Sequence, residues 1–173
     1  MTTKKIVLVL ALLSAIHLGL YIVVRQLDNP LTHAPNVEFT FLGGTKKNMA
    51  DFNSGPTLVV FWATSCKTCV AEVPHLIELY REMHSQGLEI IGVAMPYDPP
   101  ANVLTYAERM SIPYPISLDI DASVTHAFDQ VDVTPTTFLV SAAGRIEMHH
   151  FGKLDMKKLR QQIAGLITQK IDN

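Results

Sequence analysis

"VVFWATSCKTCVAEVP", Val59 to Pro74, holds both cysteines of the chain, Cys66 and Cys69, with only Lys67 and Thr68 between them. A bridge across two intervening residues closes almost no loop in the unfolded chain, so it adds little stability through chain entropy. The pair is therefore either half of a zinc site or a dithiol that cycles between reduced and oxidised forms. The same segment carries the pattern of the fold. "TLVVFWA", from Thr57, is a continuous apolar, β-branched and aromatic run, as a central strand covered on both faces requires. Beyond the cysteines, Val73, Leu76, Ile77, Tyr80 and Met83 share one helical face, which predicts a helix from the cysteines to about Ser85. Gly87 stops it, and Pro74 within it predicts a kink.

On the N-terminal side, "VEFTFLGG" alternates apolar and polar residues and ends in Gly43-Gly44, which predicts a small leading hairpin. On the C-terminal side, "LEIIGVAM" reads as a second buried strand and "PPANVLTYAERM" as a helix with proline at its start. "YPISLD" is a short strand, and "DASVTHAFD" a helix placed to be capped by Asp121. "TTFLVSAAGRIEMHHFG" gives two strands around a Gly144 turn, and Leu154 to Lys170 a closing amphipathic helix. Strands alternating with helices and followed by a terminal hairpin imply an α/β fold, a mixed sheet packed between helices.

Ahead of this domain, an uncharged apolar run extends from Ile6 to Val24, bounded by Lys4 and Lys5 before it and Arg25 after it. As a helix its 19 residues would be about 28 Å long, close to the ~30 Å hydrocarbon core of a bilayer. The expected organisation is a cytoplasmic N-terminus at 1–5, a transmembrane signal anchor at 6–24, a linker at 25–36 around "DNPLTHAPN", and the folded domain at 37–173. A cleaved signal peptide is the competing reading; its apolar region is usually shorter, and "LLSAIHLG" offers only a weak cleavage site. The lysines on the short side keep the N-terminus inside. The anchor is then single-pass in the inner (cytoplasmic) membrane, with the domain in the periplasm, where cysteines tend to be oxidised. A formal net charge of -2 provides no basic field for a polyanion, so nucleic-acid binding has no electrostatic support.

The position of Cys66, directly after a buried strand and at the start of a helix, sets its sulfur near unpaired amides and the positive end of the helix dipole. With Lys67 adjacent, Cys66 ionises more readily than a free cysteine and is the expected nucleophile. Cys69 lies one turn deeper, within reach to resolve a mixed disulfide. Two thiols carry two electrons, so no cofactor is needed. A zinc site needs about four ligands, and His33, His75, His84, His126, His149 and His150 are scattered; His149 and His150, adjacent on a strand, point to opposite faces.

"FWATSCKTCVAEVP" resembles the active-site segment of thioredoxin-fold proteins, and "VTPTTFLV" resembles their second signature, a threonine-proline turn before a strand. The anchor, the leading hairpin, the inserted helix and strand between Pro99 and Asp119, and a glutamate three residues after the second cysteine are similar to the TlpA/ResA-like branch. The resemblance covers roughly Val37 to Lys170. It implies that Cys66 is the exposed nucleophile, Cys69 the buried resolving thiol, Pro135 a cis-proline beside them and Glu72 the acidic group near the site. A cis-proline turn would present the Thr134 backbone to an extended peptide, so Thr134 and Pro135 are expected to contact substrate. Trp62 is expected beside them, with core packing the alternative for it and for Phe61. Val60 stands where thioredoxin carries a buried aspartate, which leaves Glu72 to move the Cys69 proton; an ordinary solvated helix residue is the alternative for Glu72.

The resemblance further implies a membrane-anchored thiol–disulfide oxidoreductase that reduces protein disulfides, for example in cytochrome c maturation or oxidase assembly. A membrane electron donor of the DsbD/CcdA type would recharge it. Ser65 in place of the usual tryptophan, and Lys67-Thr68 in place of a proline just before the second cysteine, bear on redox potential and partner rather than on reaction type. A peroxiredoxin would show P-x-x-x-T-x-x-C, which fails at Val59 and Ala63. A Sco-like copper-delivery module would show C-x-x-x-C and a distant histidine ligand.

Overall fold

Six consecutive apolar or β-branched residues, Thr57–Trp62, form the middle strand of a five-stranded sheet, and all six are buried. A computed structural model of the protein describes residues 12–19 and 31–171. The chain divides into two units, Met1–Pro30 and Leu31–Asn173. In the first, residues 12–19 are helical (α1), with Leu12, Leu13, Ile16 and Leu18 exposed. The rest of the anchor expected over 6–24, together with residues 1–5 and 25–30, lies outside the described residues. Among the described residues no helix is long and apolar enough to cross a membrane.

The second unit runs as the sequence pattern predicts. β1 (Glu38–Thr40) and β2 (Lys46–Asn48) make the leading antiparallel hairpin; Gly43 and Gly44 both adopt left-handed φ at its turn. Then follow β3 (Thr57–Trp62), α2 (Lys67–Met83), β4 (Glu89–Ala94), α3 (Pro100–Met110), β5 (Ile116–Leu118) and α4 (Ser123–Ala127). β6 (Thr136–Val140), β7 (Ile146–Phe151) and α5 (Met156–Ile171) complete the chain. The sheet order is β5-β4-β3-β6-β7. β3, β4 and β5 are parallel, and β6 runs antiparallel to both β3 and β7.

Alternation along β3 divides the core. Leu58, Val60 and Trp62 face a layer built from α2, α3 and α5; Val59 and Phe61 face the hairpin, Val124 of α4 and Phe128. α2 runs through Pro74 to Met83. Proline cannot donate to the carbonyl four residues back, and that carbonyl, on Val70, accepts the Tyr106 hydroxyl of α3 instead (3.3 Å). The main cap of α4 is Asp119 rather than Asp121. Asp119 Oδ1 accepts the Val124 amide (2.9 Å), and Oδ2 accepts the Thr125 amide (2.8 Å) and hydroxyl. Asp121 accepts the Ser123 amide at the exposed rim (3.1 Å). Part of the expected linker is packed: Thr32 and Ala34 hydrogen-bond along the Gly144 turn, so the domain's contacts begin before Val37.

Register brings the C-terminal ends of β3, β4 and β7 to the N-terminal end of β6: Trp62 pairs with Ala94, Phe61 with Thr136, and Thr136 with Phe151. The cysteines lie at that end of the sheet.

Candidate active site

After β3 the chain makes a turn, closed by the Cys66 amide donating to the Ala63 carbonyl (3.1 Å). Cys66 is then the N-cap of α2, with its carbonyl accepting the Val70 amide (3.0 Å) and its Sγ accepting the Cys69 amide (3.2 Å). Cys66 and Cys69 are disulfide-bonded, with Cα atoms 5.2 Å apart. Their exposures differ in the direction that thiol exchange requires: Cys66 is half-buried and Cys69 is buried. An incoming sulfur therefore reaches Cys66. An amide that donates to Sγ at a helix start also stabilises a thiolate there once the bond is reduced.

Facing the pair is the loop before β6. The Thr134–Pro135 peptide is cis, and the Thr134 carbonyl oxygen lies 3.6 Å from Cys66 Sγ. Thr134 is half-buried and Pro135 buried. The Pro135 carbonyl accepts the Gly152 amide (2.8 Å), which fixes the loop to the end of β7.

Glu72 is not a solvated helix residue. It is 3% exposed, and its Oε1 accepts the Leu154 amide at 2.7 Å. Among the described residues Oε2 has no hydrogen-bond partner. Burial pushes its carboxyl above the usual carboxylate range; the Leu154 amide, His150, His75 and Lys153 oppose that shift in decreasing order. Glu72 and Cys69 line one enclosed cavity with Val60, Trp62, Gly92, Tyr114 and Pro135. About 10 Å³ of it is open to the centre of a water molecule, roughly the room that one water needs. Trp62 is buried, its ring 5.6 Å from that of Tyr106, so its indole lines this cavity rather than presenting a surface. His149 and His150 separate to opposite sides of β7: His149 stacks on Phe138 at 4.1 Å, while His150 contacts the Lys153 carbonyl at 3.0 Å. Among the described residues no group of three or more His, Cys, Asp or Glu is placed to hold a metal ion.

The structure adds residues that the sequence reading did not single out. Asp98, in the loop after β4, accepts two hydrogen bonds from Thr64 in the turn before Cys66. Tyr114 and Gly92 complete the cavity around Glu72, and burial pushes the Tyr114 hydroxyl far above its ordinary value. "YDPP" at the end of a parallel strand next to the cysteine strand was the available signal for Asp98, since functional groups gather at such strand ends.

A dithiol pair at a helix start, one sulfur accessible and one buried, set against a cis-proline loop on this sheet, defines a thioredoxin-fold thiol–disulfide oxidoreductase. Residues 30–149 match the AhpC/TSA family. The chain is 31% identical over 133 residues to thiol-disulfide oxidoreductase ResA of Geobacillus thermodenitrificans, covering 77% of this chain and 75% of the relative. A solved Neisseria meningitidis protein described as a thioredoxin superposes with a TM-score of 0.73 at 31% identity, over 79% of this chain and 90% of that one. A thioredoxin-family thiol:disulfide interchange protein of Chlorobium tepidum shares the fold with a TM-score of 0.71 at 22% identity, over 81% and 99% of the two chains. The chain belongs to the AhpC/TSA family and, within it, to the thiol–disulfide oxidoreductases of the ResA type. The peroxidase pattern remains broken at Val59 and Ala63, both fully buried.

Proposed function

We propose that the protein is a membrane-anchored reductant of protein disulfides outside the cytoplasm, acting through Cys66 and Cys69. The carrying observation is the asymmetry of the pair: Cys66 is accessible at the helix start beside the Thr134 carbonyl, and Cys69 is buried against the cavity that holds Glu72. The Cys66 thiolate attacks one sulfur of a partner disulfide, forming a mixed disulfide and releasing the other partner sulfur as a thiolate. Cys69 gives its proton to Glu72 and attacks Cys66 Sγ. That step forms the Cys66–Cys69 disulfide and frees the second partner thiol, so the partner gains two electrons and this protein loses two. The backbone at Thr134 and Pro135 lies along the approach of an extended peptide.

The apolar run at 6–24 and the exposed leucines and isoleucine of residues 12–19 support a single-pass anchor with the domain on the periplasmic side. A membrane donor of the DsbD/CcdA type would return the electrons, and cysteines awaiting haem or copper-centre assembly would be the substrates. Full-length protein in membranes, supplied with a dithiol, is expected to reduce a model disulfide protein. Cys66→Ser should abolish the reaction, and Cys69→Ser should accumulate the mixed disulfide. Faster alkylation of Cys69 than of Cys66 in the reduced protein would reverse the roles, and protease protection of the domain in spheroplasts would remove the outward orientation.

A further inference from the structure

Two turns meet at the active-site end of the sheet. One is Ala63 to Cys66, leaving β3; the other is Met95 to Asp98, leaving β4 and closed by the Asp98 amide donating to the Met95 carbonyl (2.9 Å). They are strapped together by two hydrogen bonds, beside a third that ties the second turn to the end of β3. The Met95 amide donates to the Trp62 carbonyl (3.0 Å), the Thr64 amide donates to Asp98 Oδ2 (2.6 Å) and the Thr64 hydroxyl donates to Asp98 Oδ1 (2.6 Å). Both carboxylate oxygens of a side chain only 6% exposed are thus directed at a single residue, two positions before Cys66.

This arrangement is specific in its chemistry. In a turn closed between its first and fourth residues, the amide of the second residue is left over. Here that amide belongs to Thr64, and a carboxylate takes it with a short charge-assisted bond, about twice as strong as a neutral one. The carboxylate is itself fixed, because "MPYDPP", Met95 to Pro100, has proline at three of six positions and each proline sets its own φ. A stiff loop from the neighbouring strand therefore holds the turn that delivers Cys66 to the N-cap, where its Sγ accepts the Cys69 amide.

We propose that Asp98 is a positioning residue for the redox pair: by binding the Thr64 amide and hydroxyl it locks the turn that presents Cys66, and so sets the reactivity of the Cys66 sulfur. Without the strap the turn relaxes, the amide contact to Sγ weakens and the thiolate loses its stabilising donor. The inference rests on Cys66 as the attacking thiol, and that reading fails separately, if Cys69 alkylates first in the unsubstituted protein.

The test uses the reduced full-length protein, with two readouts on folded molecules: the alkylation rate of Cys66 near neutral pH, and the equilibrium constant of the Cys66–Cys69 couple against glutathione. Asp98→Ala is expected to slow alkylation about threefold to tenfold, because a smaller fraction of the thiol is ionised once the amide contact to the sulfur weakens, and to shift the equilibrium toward the disulfide. Asp98→Asn keeps an oxygen for the Thr64 amide and removes a negative charge, so it should alkylate at least as fast as the parent. An Asp98→Ala protein with lower stability but unchanged rate and equilibrium would overturn the proposal, as would an equal loss in Asp98→Asn. If Asp98→Ala does not fold, Thr64→Val removes the hydroxyl half of the strap; a smaller slowing supports the proposal and an unchanged rate overturns it.

Discussion

The Glu72 carboxylate and the Leu154 amide are joined by a 2.7 Å hydrogen bond across 82 residues of sequence. The bond closes the segment between β7 and α5 over the second turn of α2, where the carboxylate is buried. One oxygen is held; the other, in a cavity that Cys69 also lines, has no partner among the described residues. A buried carboxyl with a raised pKa, close to a buried thiol that must lose a proton, suits a general base.

Glu72→Gln is accordingly expected to slow resolution of the mixed disulfide by about a hundredfold, the usual scale of general-base help. The loss should be larger at high pH, where Glu72 is ionised, so the pH–rate profile flattens. Stability should move the other way. A folded-state carboxyl raised by burial contributes stability that is fully present below the ordinary value of 4.5 and lost as pH rises through the raised folded value. Glutamine keeps an acceptor for Leu154 without that loss. Thermal unfolding at neutral pH should therefore find the variant at least as stable as the parent, with the difference vanishing near pH 4. Superimposable rate profiles would leave Glu72 without a part in exchange.

Much of this site was legible in the sequence, for reasons that separate what a local pattern carries from what it does not. The strand at Thr57–Trp62 and the helix after it follow from runs and periods that tertiary packing reinforces. Cys66 at a helix start follows from that boundary alone. Glu72 was singled out by the family resemblance, in which a glutamate follows the second cysteine by three residues, but its burial was not visible, because the Leu154 amide that stabilises it comes from the far end of the chain. The Asp98–Thr64 strap was hidden for the same reason: it joins two turns from adjacent parallel strands, and only sheet register brings them together. At α4, sequence proximity favoured Asp121, yet Asp119 caps the helix, since Ala122 adopts a left-handed conformation (φ 60°) and the chain turns back toward the strand end.

Asp119 is buried with three donors on its carboxylate, and α4 is only five residues long. A helix that short has little stability of its own. Asp119→Ala removes the cap and strands two amides, with an expected cost of about 2–3 kcal/mol. Asp121→Ala, by contrast, removes exposed contacts to Ser123 that solvent replaces, so its unfolding midpoint should stay close to the parent's. Urea unfolding of the two variants side by side checks the assignment, and equal losses would contradict it.

The far ends of β3 and α2 are bolted together by two glycines. A Cβ built on Gly55 would stand 1.9 Å from the Gly87 carbonyl oxygen and 2.8 Å from its carbon. No rotamer relieves a collision between main chains, so Gly55→Ala must push the two segments apart. Gly87 cannot readily give way, because its φ of 109° ends the helical segment after α2 and its amide bonds the His84 carbonyl. Two residues after Gly55, β3 begins in register with Glu89 of β4, whose amide donates to the Pro56 carbonyl (3.0 Å). Displacement there would slide the strand and helix that together position Cys66, and a forced insertion into a tight contact of this kind costs about 1–3 kcal/mol. The protein's one tryptophan, Trp62, is 4% exposed at the other end of β3, so its fluorescence reports the transition. Urea unfolding should give a lower midpoint for Gly55→Ala with an unchanged slope. A midpoint equal to the parent's would mean that the Gly55 and Gly87 backbones separate freely and that the close approach contributes nothing to the frame of the site.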